Sequence, residues 1–284
     1  MNDKRGFSRP LSKTWAVGAG VALLGTACAG SETGNGGASQ RVKRPVSVEM
    51  RLDAPTDRLN AKDRDGFELA IESAIASVER LEFVLPSGEE CRGLPNVQAP
   101  YAAGCGENRD RVRIEGPWTV DLVTGELEPV LEGIEVLDGV FEGIEMRLAP
   151  GEAGRGGVEE GDVLDGASFD VTGQIAVPRG VAPFGLTLDL NAQGRFGGGA
   201  AVIIGEDSDV VMLSFDISDW FSSLGLGACI EAGYVPSEAG VLRLERADRQ
   251  ACGDVSRVIR QALTETGKVK VVPRQAPPQA NNAR

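Results

Sequence analysis

The sequence predicts a mainly β protein, an antiparallel β-sandwich of about eight strands with a C-terminal α-helix. Three observations predict it. From Val46 onward, apolar residues come in short alternating runs broken by Gly, Pro, Asp and Asn, the signature of strands and turns. Few segments between those runs carry a helical period, which argues against a parallel α/β sheet. The chain has 284 residues, 42% of them hydrophobic and 38 of them Gly, enough for about two domains or one all-β domain of roughly 200–250 residues.

In order, Val46, Val48 and Met50 alternate with Ser47, Glu49 and Arg51 and read as the first strand. Phe67, Ile71, Ile75, Val78 and Leu81 are spaced four, four, three and three apart, which predicts a helix, and Leu81, Phe83 and Leu85 then alternate like a strand. The run from Trp118 to Val123 ends at Thr124-Gly125. Asp138-Gly139 reads as a hairpin turn ahead of a strand over 140–148, because a type I′ turn needs positive φ at both central residues. Further strands are expected at 168–176, 185–190, 200–204 and 210–217. Val255, Val258, Ile259, Ala262 and Leu263 form one apolar stripe, predicting a helix that Gly267 would close in the left-handed region. The sequence divides into a signal peptide (1–27), a tether (28–45), a sandwich (46–221) and a disulfide-clamped helical segment (222–272). A tail (273–284) with three Pro and no large apolar residue is expected to be disordered.

The first 27 residues hold Lys4, Arg5, Arg9 and Lys13 against Asp3, then the apolar run from Trp15 to Leu24 and the small residues before Cys28. These are the n-, h- and c-regions of a secretory signal. As a helix, 15–29 would be about 22 Å long at about 1.5 Å per residue, short of a hydrocarbon core of about 30 Å. Lys4-Arg5-Gly6 lacks the two adjacent arginines of a twin-arginine signal. Leu23-Leu24-Gly25-Thr26-Ala27-Cys28 is similar to a bacterial lipobox, with Gly25 where a large aliphatic residue is usual. The alternative is Ala27-Cys28-Ala29 as an A-x-A site, which would release a soluble product. On the lipobox reading, acylation of Cys28, palmitate included, makes the bilayer a partner, since two or three chains hold a protein where one does not. Residues 29–40, rich in Gly, Ser, Thr and Asn, follow as a flexible tether.

Without His, the chain cannot build a Ser-His-Asp or Cys-His pair, a His-ligated zinc site or a His-ligated haem. The net charge of −13 falls to −16 without residues 1–27, and beyond them the basic run is Arg41-Val42-Lys43-Arg44. Nucleic acid is therefore excluded as a partner. The glycine strings around Gly154 to Gly157 and Gly197 to Gly199 lack the flanking strand and helix of a dinucleotide fingerprint, and no cofactor is expected.

At Leu52-Asp53-Ala54-Pro55 the chain begins to resemble an uncharacterised domain of bacterial lipoproteins whose first strand ends in D-A-P. The likeness continues through Trp118 to Leu122, through Leu137 to Leu148 (similar to "G-x-[YF]-x-x-I-R-L") and through Val211 to Asp216 (similar to "L-x-F-D"). It covers about 46–221. The resemblance implies a sandwich like transthyretin or carboxypeptidase regulatory domains, with no established activity. The four later cysteines and the region after Phe221 depart from its pattern.

Besides Cys28, the chain has Cys91, Cys105, Cys229 and Cys252. An even number in an exported chain predicts disulfides; four cysteines allow three connectivities, the two local pairs being cheapest. Neither pair has C-x-x-C spacing, so a redox or zinc site is disfavoured. Asp162, Asp165, Asp207 and Asp209 lie in acidic turns that could gather calcium, although neither turn matches D-x-D-x-D-G. Trp118, Trp220 and Phe221 could form a sugar-stacking platform, but core packing is the commoner fate of such rings. With 42 Asp and Glu, a close carboxylate pair arises easily without being catalytic. The expected function is that of an exported, lipid-anchored envelope protein, non-catalytic, binding a polysaccharide or a protein. The alternatives are a secreted, glycosidase-like, carboxylate-dependent hydrolase and a carbohydrate-binding module.

Overall fold

A computed structural model describes residues 41–53, 59–177, 180–197, 200–208, 210–265 and 267–272. The signal peptide, Cys28 and most of the tether, Asp209, and the tail 273–284 lie outside the described residues. Seventeen strands and four α-helices are present among those described. The strands up to the first helix are β1 Lys43–Asp53, β2 Asn60–Lys62, β3 Glu68–Val84, β4 Ala103–Cys105, β5 Arg111–Asp121, β6 Leu127–Glu128, β7 Ile134–Leu137, β8 Gly139–Phe141, β9 Gly143–Leu148, β10 Phe169–Val177, β11 Gly180–Leu188, β12 Ala192–Phe196, β13 Val202–Ile204 and β14 Val210–Asp216. Then come α1 Ser218–Phe221, α2 Leu226–Glu231, β15 Ser237–Glu238, β16 Val241–Arg243, α3 Arg249–Cys252, α4 Val255–Glu265 and β17 Lys268–Val272. The fold is a β-sandwich; the excess over eight strands consists of pieces two to five residues long.

The two main sheets have the order β17-β14-β1-β7 and β12-β9-β3-β10-β11-β16-β15, the latter with β2, β4, β5 and β6 joined through β3, and β13 and β8 form a third, two-stranded sheet. They share one apolar core, into which Val46, Val48, Met50 and Leu52 of β1 and Val211, Leu213 and Phe215 of β14 point. Phe196 of the large sheet meets Phe215 of the small one edge to face, with ring centroids 5.1 Å apart. Most pairings are antiparallel, but β1 pairs β14 and β11 pairs β16 in parallel.

β3 corrects the helix expected over 67–81. It is a 17-residue strand with β10 then β9 along one edge, and β2 then β5 along the other. Its pairing shifts once between Ile71 and Ser73 and again between Val78 and Arg80. Each bulge inserts one residue and moves the apolar face to the other parity. The buried residues are therefore Leu69 and Ile71, then Ala74, Ala76 and Val78, then Leu81 and Phe83, and the resulting steps of three imitate a helix. Gly173 faces the first bulge, where a Cβ would lie 2.1 Å from the Ala70 carbonyl oxygen.

Asp138-Gly139 is not a hairpin either: β7 pairs β1, whereas β8 pairs β13. Asp138 instead prolongs the β1–β7 ladder, exchanging hydrogen bonds with Val42. β1 starts at Lys43, inside the expected tether, because Lys43 to Val46 pair with β7. Residues 222–272 are woven into the sandwich through β15, β16 and β17. α4 forms as expected, burying Val255, Ile259, Ala262 and Leu263. Gly267, however, is not left-handed; a Cβ there would sit 2.4 Å from the Phe196 ring, so its smallness serves packing.

Candidate functional site

Two surfaces concentrate charge, and they do so differently. On the outward face of the large sheet, Glu82 of β3 lies in register with Arg113 of β5 and Glu145 of β9. Its carboxylate is 2% exposed and accepts from Arg111 Nη1 at 2.8 Å and from Arg113 Nε at 2.7 Å. Arg80 Nε stands 3.6 Å away. Arg111 also reaches Glu145 at 3.2 Å, Arg113 reaches Glu115 at 3.3 Å and Arg147 reaches Glu79 at 2.8 Å. Four arginines and four glutamates thus interleave, with Asp110 a fifth carboxylate on Arg111 at 3.1 Å. The Arg111 guanidinium is held charged more firmly than usual, first by Asp110, whose own carboxyl it pulls below the ordinary range.

The outer face of the small sheet is the second surface. There Ser47, Glu49 and Arg51 of β1 align with Val210, Met212 and Ser214 of β14, and these with Val272, Lys270 and Lys268 of β17. Residues 121–132 form a wall beside them. Asp121 Oδ1 accepts from the backbone N–H groups of Val123 and Thr124, which sets the turn between β5 and β6, and Gly125 takes a φ of 82°. The Val48 and Leu52 N–H groups bind the carbonyls of Leu131 and Leu122 and fasten the wall to β1. Together with Gly157, Asp162 and Leu164 these elements enclose a groove of about 1430 Å³. Its apolar lining includes Val210, Met212, Val272, Leu127 and Val130, the last 67% exposed. Six carboxylates line it, from Glu49, Asp121, Glu126, Glu128, Glu132 and Asp162, against Arg51 and Lys270. Among the described residues Glu49, Glu126, Glu128 and Glu132 make no ion pair and no side-chain hydrogen bond.

A smaller cleft of about 920 Å³ lies at the far end of β1. Its carboxylates are already engaged: Asp53 with Lys268 at 3.1 Å, Glu68 with Lys62 at 3.2 Å and Glu72 with Gln174 at 2.6 Å. Asp53 and Asp216 are register partners, and Lys268, 3.1 Å from each, is held protonated by Asp216 first and Asp53 second. Asp63 accepts backbone N–H groups from Asp65, Phe67 and Gly227, tying the β2–β3 turn to α2. Burial raises the Asp170 carboxyl above the ordinary range, against the hydroxyl of Thr187 at 2.6 Å and the charge of Arg243. Asp170 lines neither the groove nor the cleft.

The sugar platform is corrected. Trp118, Trp220 and Phe221 are each 0% exposed; Trp220 packs edge to face on Phe169 and Phe215, and Phe221 on Phe184. Rings in the core have no face to offer a sugar. Asp162 is on the groove wall with one oxygen accepting from the Leu164 N–H, while Asp165 and Asp207 are exposed in turns. No set of three carboxylate or thiolate ligands gathers around a common point among the described residues. The cysteines pair locally: Cys91 with Cys105 and Cys229 with Cys252. The first bridge closes the loop leading into β4. The second joins α2 to the end of α3, within the segment 222–272.

The groove was missed in the sequence. The stretch Glu126-Leu-Glu-Pro-Val-Leu-Glu132 carried the signal, acidic residues interleaved with apolar ones just after a turn. No protein-family profile, curated protein or solved structure matches the chain.

Proposed function

We propose that the chain is an exported bacterial envelope protein, anchored in a membrane through an acylated Cys28, whose β-sandwich is a non-catalytic binding module. One observation carries this reading: four of the five cysteines are consumed in two bridges, and the fifth, Cys28, stands at the lipobox-like junction. Structural disulfides belong to oxidising compartments, and a thiol left over at the end of a signal-like segment is the one an acyl transferase would take. The resemblance to a bacterial lipoprotein domain gives the same address. The module is read as a binder because its two main concentrations of charge are a face neutralised in ion pairs and an open groove. Neither arrangement presents a nucleophile with an adjacent base.

Metabolic labelling with a palmitate analogue tests the anchor. Label is expected on the wild-type protein and lost in Cys28→Ala; an unlabelled wild type would overturn it.

A further inference from the structure

We infer that the groove on the outer face of the small sheet binds an extended cationic polypeptide segment. This gives the binding module a ligand class, and on that point it rests on the reading above. It does not depend on the lipid anchor.

Shape comes first. The floor runs along β1 from Ser47 to Arg51 and across β14 to β17, so it is about 17 Å long at about 3.4 Å per residue and takes about five residues of extended chain. Its volume of about 1430 Å³ exceeds the roughly 300–1000 Å³ of small-molecule pockets. An extended segment sends alternate side chains to opposite sides. Apolar ones would meet Val210, Met212 and Val272, and the others would reach the rim.

Charge then selects the occupant. The lining carries six carboxylates against two cations, and the four glutamates on its rim and floor make no ion pair among the described residues. On the outer face of the large sheet Glu79, Glu82, Glu115 and Glu145 are each paired with arginine, and among the described residues the groove glutamates are not. Four carboxylates unneutralised along one groove give it a negative potential that a cationic ligand would meet favourably. Other ligand classes fit less well. A polyanion would be repelled, and no Trp, Tyr or Phe lines the groove to stack on a sugar ring. Nor is a set of three metal ligands gathered among the described residues.

The test is fluorescence anisotropy of a fluorescein-labelled Lys-Val-Lys-Val-Lys-Val amide titrated with the purified full chain in detergent. Saturable binding is expected, weakening as NaCl rises from about 0.1 to about 1 M and the screening length shrinks from about 10 to about 3 Å. The triple variant Glu126→Gln/Glu128→Gln/Glu132→Gln should bind about tenfold more weakly, three surface charge contacts being lost together. Asp189→Asn/Glu231→Gln/Glu265→Gln removes three exposed carboxylates that do not line the groove and should bind like wild type. Met212→Lys, with unchanged melting, should abolish binding by placing a cation on the floor. The inference is overturned by any one of four results: no saturable binding by the wild type, equal loss in the two triple variants, full binding by Met212→Lys, or equal binding of Ser-Val-Ser-Val-Ser-Val. A missing palmitate label would leave all these outcomes readable, and a missing peptide complex would leave the label unaffected.

Discussion

The two charged faces of this sandwich are built from the same residue types and differ in one respect. On the large sheet every carboxylate around Glu82 has a guanidinium within 3.6 Å or less. On the small sheet, Glu49, Glu126, Glu128 and Glu132 have no cationic partner among the described residues. Cross-strand register makes the difference. Opposite charges directly across a ladder attract, and like charges repel. Arg113 of β5 faces Glu82 directly, and Arg111 of the same strand bridges Glu82 to its like-charged register partner Glu145 on β9, so the guanidiniums of β5 neutralise both carboxylates. Of the groove glutamates, Glu126 and Glu132 lie in loops, while Glu49 faces Met212 and Glu128 faces Thr119, so none meets a cation across a ladder. A paired face holds strands together; an unpaired one is open to a ligand.

The comparison is tested hardest at Glu82. A buried carboxylate ringed by arginines leaves behind, when it is removed, half-buried cations that have lost this partner. Glu82→Ala should therefore cost about 3–5 kcal/mol of stability, read as a lower urea midpoint. A loss within the range of ordinary surface substitutions would mean that this face is as loosely held as the groove.

The disulfides come next. Replacing Cys91 and Cys105 by Ser reopens a loop whose ends are 14 residues apart and should cost about 3 kcal/mol in the chain-entropy model. The Cys229–Cys252 pair, 23 apart, should cost about 3.5 kcal/mol on the same scale. The Cys91–Cys105 loop ends in β4, which pairs with β5 of the ionic face. Its loss should also weaken that face and leave the groove walls intact. Urea titrations of each double variant, with the peptide-binding assay alongside, would show whether the two surfaces respond separately.

How far the sequence alone discloses these surfaces depends on the range of the forces involved. Alternation in β1, β14 and α4 is local, and the burial of Val46, Val48 and Met50 follows from it. The evenness of the cysteines after Cys28 foretells two bridges. β3 is misread because two bulges, set by its neighbours β10, β9 and β5, break its period. Trp118 and Trp220 resemble a platform because a position in β5 and one in a short helix give no hint of what covers them. The groove is hidden for a related reason. The acidic and apolar residues of 126–132 are legible as a pattern, but the floor they overlook comes from β1, about 80 positions earlier, and from residues about 80 and about 140 positions further on, separations that only long-range closure resolves.

Asp170 lies between the two extremes, buried with a hydroxyl partner and no direct guanidinium. Burial raises its carboxyl above the usual value of 3.8. The folded state therefore holds the proton more tightly than the unfolded chain, and the ionised form costs stability at neutral pH. Asp170→Asn keeps an oxygen for Thr187 and should melt modestly higher than wild type at pH 7. That gain should shrink as the pH falls through the raised folded value toward 3.8, where the wild-type carboxyl protonates. A gain independent of pH would show that packing, and not charge burial, governs this site.

The smallest expected effect separates the faces most cleanly. Glu126→Gln/Glu128→Gln/Glu132→Gln touches three exposed side chains, so its stability should stay within about 0.5 kcal/mol of wild type, as for surface sites generally. The sign should be positive, because neighbouring carboxylates no longer repel. In about 1 M NaCl, where the screening length is about 3 Å, the gain should vanish. Neutralising one carboxylate at Glu82 would then cost far more than neutralising three in the groove. A clear loss of stability in the triple variant would place these glutamates among the groups that hold the wall to β1, and the groove would be a second structural face. A small, salt-sensitive gain means that their charge is carried at a cost to the free protein, which a cationic ligand would remove.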